Sequence, residues 1–163
     1  MFWRFGTVSV LAIFMLASCT STKVVQTQQG STTVETNALR NTVKMTNGRG
    51  TAIIGKGAVD EASLGLPLYP GMIASQTGGM RVVDAEGTRH AVSLSTKDSF
   101  DKVYTWYKGH MPPGSEQLHM EQPTASIATF LIGKEGDRDQ RSVQIQNDGK
   151  TTTVLLSRIT KNA

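Results

Sequence analysis

Residues 96–109, TKDSFDKVYTWYKG, give the clearest structural signal in the chain. Phe100, Val103, Tyr104 and Tyr107 lie at positions i, i+3, i+4 and i+7, which is the spacing of one apolar stripe on a helix. Acidic residues in the first turn suit the positive end of the helix dipole, and Thr96 and Asp98 are candidate N-caps. The pattern predicts a helix over about 98–108 that ends at Gly109.

Short apolar alternations separated by turn residues surround this helix and predict strands. We expect these strands at residues 50–54, 72–77, 80–84, 91–95, 127–132, 142–146 and 151–159. The pair Gly78-Gly79 is typical of a hairpin turn between the second and third of these segments. The 127–132 segment is apolar on both faces and is expected to be central. The resulting fold class is α+β: an antiparallel sheet of about five to six strands with one helix packed across one face.

The N-terminal eighteen residues have the features of a secretory signal. Arg4 gives a positive start, and an apolar run over residues 8–16 is shorter than the roughly 20 residues that span a bilayer. Leu16-Ala17-Ser18-Cys19 then resembles the lipobox of bacterial lipoproteins. This resemblance implies cleavage before Cys19, lipid on its sulfur, and two or more acyl chains, which anchor a protein stably.

The single cysteine of the chain is Cys19, so a lipidated mature protein has no thiol left for a disulfide. An ordinary signal peptide with a cysteine at the cleavage site by chance is the alternative. Thr20 differs from the aspartate that retains many lipoproteins at the inner membrane. In a cell with two membranes this favours the outer membrane, with the protein facing the periplasm.

The remaining 145 residues divide by composition. Residues 20–37 contain eight Ser or Thr and three Gln, which predicts a disordered segment. We therefore expect a signal peptide at 1–18, a lipidated flexible tether at 19–41, and one α+β domain at 42–163. Without the signal the formal charge is +3 and the basic residues are scattered, so nucleic acid is not an expected partner.

A second resemblance covers residues 64–108. Leu66-Pro67-Leu68-Tyr69-Pro70-Gly71 matches an LPxYPG segment, and Thr96-Lys97-Asp98-Ser99 opens the helix that carries Val103 and Tyr107. Together they resemble an uncharacterised group of exported bacterial proteins. The resemblance implies fold and location, and no reaction.

The motifs that could carry catalysis are weak. Residues 50–57 read G-x₄-G-K-G, in which Gly57 stands where a phosphate-binding loop needs a hydroxyl for magnesium. His90, His110 and His119 have no metal-ligand spacing, and Ser93 and Ser95 lie in an ordinary strand pattern. Asp98 and Asp101 are explained by the helix dipole. No catalytic residue, metal ligand or cofactor is predicted.

Two aromatic residues are candidates for an interaction surface. Trp106 lies about 60° outside the apolar stripe, and Tyr69 lies between two prolines. For both residues, packing at the edge of the core is the alternative. The preferred function is a non-enzymatic module that is anchored to the membrane by lipid at Cys19 and binds an envelope protein.

Two other functions stay open. One is a carrier of small apolar ligands with a pocket behind Phe100, Tyr104 and Tyr107, and the other, which is less favoured, is a hydrolase.

Overall fold

The computed structural model describes residues 20–27, 30–122, 124–134 and 136–162. Within these residues the chain forms ten strands and two helices. The strands are β1 Thr20–Thr27, β2 Gly30–Asn37, β3 Thr42–Asn47, β4 Gly50–Gly55, β5 Ile73–Asp84, β6 Gly87–Thr96, β7 Glu116–Gln122, β8 Ala125–Ile132, β9 Asp139–Asn147 and β10 Thr152–Lys161. The helices are α1 Glu61–Leu64 and α2 Phe100–His110.

All ten described strands belong to one sheet, in the order β1-β2-β3-β4-β5-β6-β10-β9-β8-β7, and every pairing is antiparallel. The prediction of five to six strands with one helix is therefore wrong. The added strands are β1, β2, β3 and β7, and α1 is an added helix. Neighbouring strands in the sheet are mostly neighbours in sequence, so short turns suffice to connect them.

The predicted tether contributes the first two strands. Residues 20–37 are poor in apolar side chains, but Thr and Val are β-branched and fit an extended backbone. Their backbone groups also complete a hydrogen-bonded ladder that continues into β3. Disorder is therefore the wrong expectation for the described part of this segment.

The predicted hairpin at Gly78-Gly79 is also wrong, because β5 runs through both glycines as one strand with an irregular register. Gly78 has φ +66°, and a Cβ on it would lie 2.5 Å from the backbone of Gly55. These glycines therefore permit a close approach of two strands rather than a turn.

The helix α2 forms in the segment that the apolar stripe predicted. It starts two residues later than predicted, and its N-cap is Ser99. It also continues through Gly109 to His110. It covers one face of the sheet over the C-terminal strands, where the core lies. Its buried stripe packs with side chains from β6, β8, β9 and β10, among them Leu94, Phe130, Val143, Ile145, Val154 and Leu156.

The β8 strand lies second from the edge of the sheet, next to the edge strand β7, and not at the centre. The β7 sequence, EQLHMEQ, is polar enough that its composition does not indicate a strand. Its edge position explains this, because an edge strand with one exposed face has little apolar surface to bury.

Candidate binding face

The sheet face opposite α2 is uncovered, and apolar side chains cross it in two rows. Val43, Ile54, Met80 and Ala91 are consecutive cross-strand partners on β3, β4, β5 and β6. The second row begins at Val34 on β2 and continues two residues along β3, β4 and β5 with Met45, Ala52 and Val82. We name these eight residues together with Leu155 of β10 the apolar patch. Adjacent strands are about 4.8 Å apart, so each row extends about 14 Å.

This arrangement follows from the two-residue period of the strands. Alternate residues of a strand point to opposite faces, so Val43 and Met45 share a face, as do Ala52 and Ile54. On the other face of these strands most side chains are polar: Lys44 pairs with Glu35 at 3.2 Å, and Thr46 bonds Thr51 at 3.2 Å, while Ile53 and Val83 are the apolar residues there. The N-terminal half of the sheet therefore has most of its apolar side chains away from the helix.

Exposed apolar side chains concentrate on this uncovered face. Among the described residues, eleven large apolar side chains are exposed, and the strand register places eight of them here. They are Val25, Val43, Ile54, Ile73, Met80, Leu118, Met120 and Leu155. Scattered exposed apolar residues are normal on a protein surface, but a concentration on one face indicates an interaction site.

The uncovered face is also nearly free of charge. On β8, β9 and the 153–159 part of β10 its residues are only Ala, Ile, Leu, Ser, Thr and Gln. Basic residues flank the second row of the apolar patch at both ends, since Lys23 is the cross-strand partner of Val34 and Arg89 is that of Val82. Arg89 pairs with Asp84 at 2.5 Å and lowers the pKa of that carboxyl.

Three shallow clefts lie along this face. A cleft of about 170 Å³ is at the centre of the apolar patch, between Ile54, Met80 and Leu155. A second, of about 290 Å³, adjoins Met45 and Val82. The third and widest of the three, about 480 Å³, lies at the end of the face between Met120, Ile127 and Thr153.

The two aromatic residues singled out from the sequence are on the other side, next to α2. Tyr69 is only 6% exposed and belongs to the core, and its hydroxyl donates a hydrogen bond to Asp98 at 2.5 Å. Its ring meets that of Trp106 edge-on at 5.4 Å, and Trp106 stacks on His110 at 3.9 Å. The structure thus brings Tyr69 and Trp106 together, with Tyr69 buried and Trp106 half-buried at the edge of the core.

The hydrogen bond between Tyr69 and Asp98 changes the acidity of both groups. Burial, and then the bond to Asp98, raise the pKa of Tyr69. The same bond, followed by one from Lys102, lowers the pKa of Asp98. Asp98 therefore stabilises the LPxYPG segment against the start of α2 and is not free for acid–base chemistry.

Side chains fill the space behind Phe100, Tyr104 and Tyr107, where the sequence suggested a ligand pocket. These rings belong to the core cluster, and Tyr107 is fully buried. Burial raises the pKa of Tyr107 to about 12. Tyr104 is stacked on His119 at 4.0 Å, and its hydroxyl donates a hydrogen bond to Glu116 at 2.8 Å.

The three histidines are in three different environments. His90 lies on β6 beside Arg81 and Arg158, and burial followed by these two charges lowers its pKa. His110 stacks on Trp106, and His119 stacks on Tyr104. Across the described ranges, no group of three His, Cys, Asp or Glu side chains could hold a metal ion.

Cys19, the predicted lipidation site, lies outside the described residues, directly before Thr20 of β1. Neither helix in the part of the chain that the structure describes could span a bilayer. Comparison with profiles of known protein families, with curated proteins and with solved structures gives no match to this chain.

Sequence reasoning missed the apolar patch, although its signal is present. The alternation of Val43 and Met45 with polar residues, followed by Asn47-Gly48, is typical of a hairpin that continues into Ala52 and Ile54. Of the apolar patch, only Val34 lies in the segment that was expected to be a tether. Only the strand register shows that the two rows lie side by side.

Proposed function

We propose that this protein is a non-enzymatic binding module, exported to the cell envelope and anchored there by lipid at Cys19. The apolar patch is the observation that carries the proposal. It provides a broad, extended surface, whereas the aromatic residues near α2 are largely used in packing the core.

The chemistry of the uncovered face favours a protein partner. The centres of protein interfaces are depleted in charged side chains and enriched in Met and aromatic residues relative to the remaining surface. The apolar patch has two methionines, no charge, and exposures of 36–43% at Val43, Ile54, Met80 and Leu155. Such partly exposed side chains lose the rest of their water contact when a partner covers them, which favours association.

The lipobox and the residue after it support the location. Diacylation at Cys19 anchors the chain to a membrane, and Thr20 favours the outer membrane facing the periplasm in a cell with two membranes. A partner in the same compartment would then bind the uncovered face while the lipid at Cys19 stays in the membrane.

A carrier of small apolar ligands is the second candidate, and one observation favours it. The cleft of about 480 Å³ near Met120 and Ile127 is within the range of small-ligand sites. This site replaces the space behind Phe100, Tyr104 and Tyr107, which side chains fill.

Site-specific photo-crosslinking in living cells tests the proposal. A photoreactive amino acid replaces Met80 in the apolar patch or, as a control, the exposed Thr105 on the outer side of α2. We expect one dominant protein adduct from position 80 and none from position 105. An adduct with a second copy of this chain would identify the partner as the protein itself.

Equal labelling from both positions, or no adduct from position 80, would contradict the proposal. The same photoreactive amino acid in place of Met120 tests the carrier function. A small-molecule adduct at position 120, without a protein adduct at position 80, would establish that function instead.

A further inference from the structure

The start of β1 defines which end of the sheet is nearest the proposed lipid anchor. Cys19 directly precedes Thr20, the first residue of β1, in the sequence. Thr20 pairs with Asn37, and Asn37 pairs with Thr42. The turn that joins β2 to β3 therefore lies at the same end of the sheet as the lipidated residue.

Two turns meet at this end. Residues 38–41 connect β2 to β3, and residues 56–57 follow β4, whose last residue, Gly55, pairs with Thr42. A Cβ on Gly57 would lie 3.4 Å from the carbonyl oxygen of Arg40, so the two turns are in contact. We name them the proximal turns.

The proximal turns combine an exposed apolar side chain with positive charge. Leu39 is 83% exposed, the highest value among the exposed large apolar side chains of the described residues. Arg40 follows Leu39 in the first turn, Lys56 is in the second, and neither turn contains an acidic residue. Within the described part of the chain the side chains of Arg40 and Lys56 form no ion pair, so both are free to meet an external anion.

An exposed Leu on turns that also carry two basic residues matches the surface of a membrane with anionic headgroups. The apolar side chain can enter the interface, while Arg and Lys remain at the level of the phosphates and are attracted to them. The turn at the other end of β3, Asn47-Gly48-Arg49, is about 20 Å away along that strand, a distance given by its six residues.

We propose that the proximal turns dock on the anionic lipid surface next to the acylated Cys19. This inference rests on the proposed lipid anchor and adds the orientation of the domain. The strands then stand away from the membrane, and the apolar patch faces sideways, where a partner in the aqueous compartment can reach it.

The test uses the lipidated protein in vesicles of anionic phospholipid. Since acylation consumes the only cysteine, Leu39→Cys and Arg49→Cys each introduce one thiol for an environment-sensitive dye. Arg49→Cys is the matched control, because it lies in an exposed turn of the adjacent hairpin at the other end. We expect lipids that carry a quencher to remove most of the emission at position 39 and little at position 49.

Charge removal provides the second measurement. In the Leu39→Cys protein, Arg40→Gln with Lys56→Gln should shift the equilibrium away from the docked state by about 30-fold, because each basic residue at an anionic surface contributes a factor of about five. Lys134→Gln with Lys161→Gln, the same charge change at the opposite end, should leave the quenching unchanged.

Three results would overturn this inference. Vesicle-bound protein with no quenching at either position would contradict docking and leave the anchored binding module intact. Equal quenching at both positions would contradict the orientation. A mass spectrum without acyl groups on Cys19 would remove the anchor, and with it the lipid-anchored part of the proposed function.

Discussion

Asp139 is the acidic residue whose removal should have the clearest effect on stability. Its carboxylate accepts hydrogen bonds from Arg158 at 2.8 and 3.0 Å and from Arg141 at 2.5 Å. The same two guanidinium groups donate to backbone oxygens of Ser63 and Gly65, at 2.9 and 3.1 Å. The carboxylate therefore orients two arginines that fix α1 on the sheet.

The size of the effect follows from the acidity of this carboxyl. Hydrogen bonds from Arg141 and then Arg158 lower the pKa of Asp139 from 3.8 to about 2. The difference corresponds to about 2.4 kcal/mol. Because the side chain is 34% exposed, screening by water reduces this figure, and we expect Asp139→Asn to lower the free energy of unfolding by about 1–1.5 kcal/mol at pH 7.

The pH dependence has a defined sign. The folded pKa is below the unfolded one, so the stabilisation is complete above the unfolded value and is lost as pH falls through the folded value. The difference between wild type and Asp139→Asn should therefore shrink mainly between pH 4 and pH 2. Urea unfolding curves at several pH values measure it, with Asp101→Asn, an exposed helix position, as the control.

A cost for Asp139→Asn that is the same at pH 7 and near pH 2 would refute this reasoning. It would mean that the substitution acts through packing or through the unfolded chain. A cost at pH 7 no larger than that of Asp101→Asn would refute it as well.

Two further predictions concern the fold. Phe130 is 1% exposed, so Phe130→Ala should lower the free energy of unfolding by about 3–5 kcal/mol in urea titrations. Leu155→Ala on the uncovered face should lower it by less than about 1 kcal/mol. Similar losses for the two variants would show that the core is not under α2. Gly55→Ala should cost at least about 2 kcal/mol, because φ is +132° and the new Cβ would lie 2.0 Å from the carbonyl oxygen of Asn41. Gly109→Ala, which has open space in a helix, should instead raise the melting temperature, and a destabilising effect there would contradict the helix.

The sequence predicts α2 well because several independent signals agree. The apolar stripe and the acidic first turn favour the same segment, and its four apolar residues are buried, although the N-cap is Ser99 and not Thr96 or Asp98. The register of β10 with β9 is similarly accessible, since Asn147-Asp148-Gly149-Lys150 indicates the turn between them.

The number of strands could not be predicted by composition, because pairing with a neighbour stabilises strands that are weak by themselves. β1 and β2 have few apolar side chains, which are Val24, Val25 and Val34, and β7 is an edge strand with six of seven residues exposed. Their hydrogen bonds to adjacent strands are tertiary contacts that a local pattern does not contain. The hairpin prediction at Gly78-Gly79 is wrong for the same reason. Glycine is needed at position 78 because the backbone of Gly55 lies close to it, and Gly55 is distant in sequence.

The candidate site was predicted only in part. An uncovered sheet face follows from one helix on one side, but the sequence pointed to Trp106 and Tyr69. Tyr69 is in the core, where its hydroxyl donates a hydrogen bond to Asp98. These two residues are 29 positions apart in the sequence, so a local pattern does not show their contact. The apolar patch depends on the alignment of six strands, which a single sequence does not show.

The most direct test of the central claim uses the partner protein that is crosslinked at position 80. The quantity to measure is the Kd between this partner and the protein, with the apolar patch intact or substituted. Ile54→Asp places a charge at the middle of the patch, on a side chain that is 38% exposed and so does not support the core. The account predicts a Kd at least about 30-fold weaker than wild type for this variant, and an unchanged Kd for Thr105→Asp on the outer side of α2. Equal affinity for Ile54→Asp and wild type would contradict the claim that this face binds the partner.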